Sequence, residues 1–195
     1  MWFKLAFVMS FVIAATVAGS TARRATRHHG QALNQLAHEV RGLLIVRALL
    51  GLVFYSALIA WLVWPTRFPW SYLPVPASLR WLATSLLLPV LALFVWSLRT
   101  LGTNYRGGVG LYANHDFVTT GPYRRIRHPL YLAFILIMLL TLLLSANWVL
   151  GLSGLVLVSS IAAARIPVEE ADLRERFGDS WDAYRRRVGC LFPRL

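Results

Sequence analysis

The sequence predicts an all-α integral membrane protein: five transmembrane helices, the last two forming a helical hairpin, then a cytoplasmic C-terminal helical segment. Three observations predict it. Hydrophobic residues make up 57% of the chain and charged residues 14%, with a mean hydropathy of +0.58, whereas a soluble domain carries about 25% charge. Apolar runs of 17 residues or more recur along the chain, and ~20 apolar residues cross a bilayer as a helix. Arginine alternates between the connections: four follow the first run (Arg23, Arg24, Arg27, Arg41), two the second, five the third and none the fourth, with seven in the tail. Basic residues collect on the cytoplasmic side, so five crossings start outside and end inside.

The first crossing is Trp2 to Ala18. Lys4 before it and the small residues Ala18-Gly19-Ser20 resemble a signal peptide, but the run is nearly long enough to span and reads as a retained helix. Arg23, Arg24, Arg27, His28 and His29 form a basic collar, and the two histidines have no third ligand at a useful spacing. Gln31 to Arg41 carries Leu33, Leu36, Ala37 and Val40 at helical spacing and suggests a short interfacial helix. Leu43 to Trp64 is the second crossing, stopped by Pro65, with Trp61 and Trp64 at headgroup level. The loop from Pro65 to Arg80 is proline-rich and belongs outside. Leu79 to Leu98 is the third crossing, and Pro89 within it predicts a kink. Leu130 to Ala146 and Trp148 to Ala164 are 17 residues each, and Asn147 marks the turn between them.

The length of 195 residues leaves room for a single membrane domain, residues 1–195. A net charge of +12 and a pI near 11.2 raise nucleic acid as a partner. The arginines, however, sit at the ends of apolar runs, where topology and anionic membrane lipids account for them, so no nucleic acid is expected. The single cysteine, Cys190, permits neither an intrachain disulfide nor a cysteine-based metal site, and no metal is expected. Gly107-Gly108-Val109-Gly110 follows no strand, which argues for a flexible turn over a nucleotide fingerprint.

Chemistry concentrates in two stretches that an equal-length hairpin returns to one membrane face. Gly121, Pro122, Tyr123, Arg124, Arg125, Ile126, Arg127 and His128 lead into Pro129, which suits the first helical position because that amide is unpaired anyway. The free amides and helix dipole there favour an anion, and arginine binds carboxylate or phosphate bidentately. Tyr131 lies three residues after His128 and shares its helix face; with Tyr123 it offers an aromatic wall for a purine or a cation. In the second stretch, Arg165-Ile166-Pro167-Val168-Glu169-Glu170, Pro167 restarts a helix whose first turn carries Glu169 and Glu170, which point in different directions, so that one can face the interior. Glu170 has Arg174 and Asp172 has Arg176 four residues on, ordinary helix pairs. Glu169 has Leu173 there, which makes it the better ligand contact. Phe177, Trp181, Tyr184 and Val188 continue as an apolar stripe that would lie on the bilayer or cap the site. S-adenosylmethionine suits such a seat: a carboxylate for the cations, an amine or ribose for the glutamate, and an adenine and a sulfonium for the aromatic surface.

The run Asp116-Phe117-Val118-Thr119-Thr120-Gly121-Pro122-Tyr123-Arg124-Arg125-Ile126-Arg127-His128-Pro129-Leu130-Tyr131, followed by an apolar hairpin and Glu169-Glu170-x-x-Leu173-x-x-x-Phe177-Gly178-x-x-Trp181-x-x-Tyr184, resembles the isoprenylcysteine carboxyl methyltransferase family. The likeness covers roughly Leu101 to Pro193. Tryptophan at 181 stands where the family usually has tyrosine. The broader clan includes phospholipid N-methyltransferases, and related motifs occur in membrane sterol reductases. The resemblance implies an S-adenosylmethionine-dependent methyltransferase whose cofactor contacts are His128, Tyr131 and Glu169 or Glu170, with Gly121, Pro122, Tyr123 and Arg124 in the supporting loop. A carboxylate acceptor needs only a cation to place it, for which Arg127 and Arg174 are the candidates; an amine acceptor would need a base such as Glu170. The acceptor would be lipidic or prenylated, entering from the bilayer. An arginine-rich, lysine-poor chain points to a prokaryotic inner membrane. An NADPH-dependent reductase and a non-catalytic lipid-binding protein are the alternatives.

Overall fold

A computed structural model describes residues 2–29, 41–105 and 116–194. The helix expected over Gln31–Arg41 and the Gly107–Gly110 turn fall outside them, apart from Arg41, where the second helix begins. The elements run α1 (Trp2–His29), α2 (Arg41–Val63), α3 (Ala77–Leu101), α4 (Pro129–Ser145) and α5 (Trp148–Arg187), with 3-10 turns at Pro69–Ser71, Gly102–Asn104 and Gly121–Arg124. Among the described residues, α1, α2, α3 and α5 are long and apolar enough to cross a membrane. The shorter apolar α4 has 17 residues, about 25 Å at 1.5 Å per residue. The chain is an integral, multi-pass, all-helical membrane protein.

Two helices differ from the sequence expectation. α1 does not stop at Ala18 but runs through the arginine collar, where Thr21 and Thr26 return their hydroxyls to the carbonyls of Val17 and Ala22, leaving the backbone ladder undisturbed. α5 is not restarted at Pro167: it is continuous from Trp148 to Arg187 except at Gly178, whose φ of 49° and ψ of −124° leave helical space. Proline inside a helix removes one amide donor, and here the helix passes through it. The break falls at the glycine, where a left-handed φ carries no steric penalty.

The residues divide into two compact units. The first comprises Met1–Ile13, Glu39–Leu91 and Ala133–Ile161. It contains the turn between α4 and α5, built as the sequence indicates. Ala146 takes a positive φ of 52°, and Asn147 caps α5 by accepting the Leu150 amide at 3.0 Å while donating to Ser71 Oγ at 2.7 Å. Gly151 is obligatory for the close approach of the two helices: a Cβ there would lie 2.5 Å from Leu142 Cα. Phe7 packs edge-on to Trp61 at 5.6 Å, and the Arg80 guanidinium lies over Phe3 while its Nε holds the Leu144 carbonyl at 3.0 Å.

The second unit comprises Ala14–His38, Ala92–Leu132 and Ala162–Leu195. Its core cluster is Trp181, Tyr184 and Val188, packed by Phe117, Leu173 and Phe177. The stripe expected to lie on the bilayer or cap a site is thus internal. Phe117 stacks on Phe177 at 4.9 Å and meets Tyr184 edge-on at 5.3 Å, and Trp181 is 1% exposed.

Candidate functional site

The motif residues meet in the second unit. Gly121 opens the 3-10 turn with φ 56°, and a Cβ there would lie 2.7 Å from Thr100 Oγ1 and 3.2 Å from Trp96 Nε1, so the turn sits directly on α3. Pro122 and Tyr123 are buried. The Tyr123 carbonyl accepts the Tyr184 hydroxyl at 2.6 Å. The chain then pairs with its own carboxyl-terminal segment: Arg127 N donates to Gly189 O at 2.8 Å and His128 N to Cys190 O at 3.0 Å, around a parallel bridge between Ile126 and Gly189. Pro129 starts α4, as its missing amide allows.

His128, 6% exposed, stands between two carboxylates. Its Nε2 lies 3.2 Å from Glu170 Oε1 and its Nδ1 3.7 Å from Glu169 Oε2. Both glutamates therefore reach this imidazole, where only one was expected to face inward. The Tyr131 hydroxyl donates to Glu169 Oε1 at 2.6 Å. Glu170 Oε1 also takes Arg127 Nε at 2.9 Å, and Arg185 Nε lies 3.5 Å from Oε2. The Arg127 Nη1 donates to the carbonyls of Val188 and Arg185, which commits that guanidinium to tying loop, glutamate and tail together.

Beyond the apolar part of α5, which ends at Ala164, the two carboxylates differ in electrostatics. Burial pushes the Glu170 carboxyl up, but hydrogen bonds from His128 and Arg127 outweigh it and hold the group below its ordinary range. For Glu169 burial prevails over Tyr131 and His128 and raises the carboxyl, although 26% of its side-chain surface stays open. Removal of water on its packed sides is enough. Burial and the adjacent Glu169 push the Tyr123 phenol well above its ordinary value.

One expected pairing is corrected. Glu170 turns to Arg127, His128 and Arg185 in place of Arg174, whose guanidinium is 64% exposed and pairs with Asp182 at 3.4 Å. Arg124 and Arg125 are exposed. Arg127 is engaged as a clamp. Arg165, which heads the second sequence stretch but was given no role there, is an electrostatic neighbour of Tyr105, Tyr131 and Glu169. Sequence reasoning missed the Val188–Cys190 segment that zips to the histidine loop, for which the signal was its small apolar residues after three arginines. Ligand atoms of His128, Glu170 and Cys190 lie within 4.8 Å of one another, yet Arg127 occupies the same Glu170 oxygen as His128, so a dication there would meet a fixed guanidinium.

A polytopic helical membrane protein whose intertwined His, Tyr and Glu side chains sit beside basic loops is the class that fold and site define. Residues 81–175, just under half of the chain, match the sequence model of the isoprenylcysteine carboxyl methyltransferase (ICMT) family, the family that its motifs resemble. It is 39% identical over 80 residues to the protein-S-isoprenylcysteine O-methyltransferase of Schizosaccharomyces pombe, covering 41% of this chain and 34% of that protein. It is 35% identical over 80 residues to protein-S-isoprenylcysteine O-methyltransferase B of Arabidopsis thaliana, covering 41% of each. The matches thus span well under half the length of these relatives. In three dimensions it resembles a eukaryotic intramembrane Ras methyltransferase ICMT, with a TM-score of 0.61 at 18% identity over 96% of this chain and 66% of that one, a likeness of fold.

Proposed function

We propose that this chain is a membrane methyltransferase that uses S-adenosylmethionine to methylate a carboxylate on a lipidic or prenylated acceptor, with residues 1–195 acting as one domain. The observation that carries the reading is the His128 imidazole held between Glu169 and Glu170 with Tyr131 on Glu169, in the segment related to the methyltransferases. The residues suit the donor. A carboxylate among tyrosine rings complements a sulfonium or ammonium, and the first-turn amides of α4, which face no intrahelical carbonyl, suit its carboxylate. S-adenosylmethionine would supply a methyl group activated by its sulfonium.

The protein's part is placement. Glu169 is the counter-ion, Tyr131 fixes its orientation, and Glu170 with Arg127 locks the loop that carries His128, Tyr123 and the Gly121-Pro122 turn. The acceptor carboxylate is ionised at neutral pH and requires no general base, so Glu170 is assigned to structure. Arg165, beside Tyr131 and Glu169, is a better acceptor-placing cation than Arg174. The arginine distribution supports a site and carboxyl terminus on the cytoplasmic side of a prokaryotic inner membrane. The test is calorimetric titration of purified protein with S-adenosylmethionine and with NADPH, then transfer of labelled methyl to a membrane lipid extract or a small prenylcysteine. Binding of the first alone and a base-labile labelled ester are expected; NADPH binding, or neither, would overturn the reading.

A further inference from the structure

The first unit contains a cavity of about 240 Å³ in which none of the site residues takes part. One wall is α2, where Ala57 and Ala60, between Val53 and Trp64, are too small to fill the space. The other is the loop after α2, with Trp70, Ser71 and Tyr72, closed over Asn147 at the turn between α4 and α5. That loop is latched to the turn. Tyr72 and Asn147 form an antiparallel bridge, Leu73 N donates to Ala146 O at 2.7 Å, Asn147 Nδ2 donates to Ser71 Oγ at 2.7 Å, and Trp148 Nε1 donates to Trp70 O at 3.2 Å. Protein interiors seldom leave voids larger than a water molecule, and here the fixed loop keeps the walls from closing on this one.

Shape and lining select the occupant. The α2 wall from Val53 to Trp64 extends about 16 Å at 1.5 Å per residue. A cavity of about 150 Å³ admits benzene, so this one has room for roughly ten carbon atoms, in a channel narrower than a helix, which is about 10 Å across. No charged residue is among the described lining residues. The buried polar ones are satisfied by the protein: Ser71 Oγ donates to Phe68 O at 2.7 Å and accepts Asn147, whose Oδ1 takes the Leu150 amide. A guest here needs no hydrogen bonds, which suits a hydrocarbon chain. Val53, Ser56 and Trp64 are exposed on a helix long and apolar enough to cross a membrane, so the opening faces lipid, and Trp61, Trp64 and Trp70 suit headgroup level. The loop from Pro65 to Arg80 carries two charges, Arg67 and Arg80, and no acidic residue. Arg80 is engaged with Phe3 and the Leu144 carbonyl. Arg67 is exposed, in the turn where its amide donates to Trp64 O at 3.1 Å, and a guanidinium there suits a phosphate. We propose that this cavity is a phospholipid site, with one acyl chain lying along α2 beneath the latched loop and the headgroup phosphate on Arg67. The assignment does not depend on the methyltransferase reading.

The test is native mass spectrometry of the full chain in detergent, titrated with three probes. Dioctanoyl phosphatidylglycerol has chain and charge, dioctanoylglycerol has the chains alone, and glycerol 3-phosphate has the charge alone. The expected result is saturation at a single equivalent of the first, binding of the second weaker by about threefold, the size of an exposed ion pair, and no binding of the third. Ala60→Phe, which places a ring in the cavity, should weaken the first probe by about tenfold or more, the loss of roughly two buried methylene groups, with a melting temperature no lower than wild type. Arg67→Gln should remove the difference between the first two probes. Binding of glycerol 3-phosphate as tight as that of the lipid, uptake of many equivalents without saturation, or equal lipid binding by wild type and Ala60→Phe overturns the assignment. Should Ala60→Phe not fold, Ser56→Leu at the exposed mouth gives the same reading, and the comparison of probes on wild-type protein needs no variant.

Discussion

Replacing Glu170 with glutamine separates the two adjacent glutamates by role. Glu170 accepts Arg127 Nε at 2.9 Å and lies 3.2 Å from His128 Nε2, with its side chain 14% exposed. Charge-assisted bonds to so covered a group contribute about 1.5–3 kcal/mol each, and removing one partner of a buried pair costs about 3–5 kcal/mol. Arg185, 53% exposed, adds little. Glutamine keeps one acceptor oxygen, so the expected loss is about 2–3 kcal/mol. At roughly 2–4 °C per kcal/mol for a chain of this size, that is about 5–10 °C in the melting temperature of purified protein. Glu169→Gln is expected to cost under about 1 kcal/mol, because it removes a carboxylate that burial already disfavours, yet to abolish donor binding. A carboxyl held below its ordinary range in the folded state contributes stability that is complete above the unfolded-state value. That contribution is lost as pH falls through the folded one. Wild-type stability should therefore drop below pH ~4, and this component should be missing from Glu170→Gln. Equal destabilisation by the two exchanges, or an unchanged acid limb in Glu170→Gln, would refute the division.

Glu169 has the opposite shift, so its folded-state carboxyl ionises above the ordinary range, and a cationic donor should bind more tightly as pH rises through that transition, then level off. Calorimetry between pH 4 and 8, roughly the span around carboxylate and histidine titration, checks this, and Glu169→Gln should show no donor binding at any point of that range. Gly151→Val forces a Cβ to within 2.5 Å of Leu142 Cα and should lower stability by about 3 kcal/mol, read as a lower melting temperature. Asn147→Ala should lose about 2 kcal/mol through the lost cap and the unpaired Ser71. Asn147→Asp, which keeps the acceptor for Leu150 but not the donor to Ser71, should lose less than the alanine.

What the sequence revealed is local, and what it concealed was decided by partners far along the chain. Hydropathy and caps place α2 through α4 within a few residues, and Asn147 at the turn is readable because an N-cap has a side-chain signature. Pro129 and Gly121 were legible for the same reason: each occupies a backbone position that few residues tolerate. The course of α5 was not, because proline at 167 and glycine at 178 both signal a break, and tertiary packing decides which is used. Arg127 shows the deeper limit. Counted among the loop arginines it reads as an anion-binding cation, but Glu170, 43 residues away, and the carbonyls of Arg185 and Val188 claim its donors. The spacing rule that pairs Glu170 with Arg174 failed for a related reason: a bond from a side chain held against His128 outcompetes an exposed pair worth only ~0.3–0.5 kcal/mol. With Glu170 neutralised by a fixed guanidinium, Glu169 keeps Tyr131, His128 and Arg165 as neighbours while burial raises its carboxyl, and that imbalance is the reason for assigning Glu169, and not Glu170, to a cationic ligand.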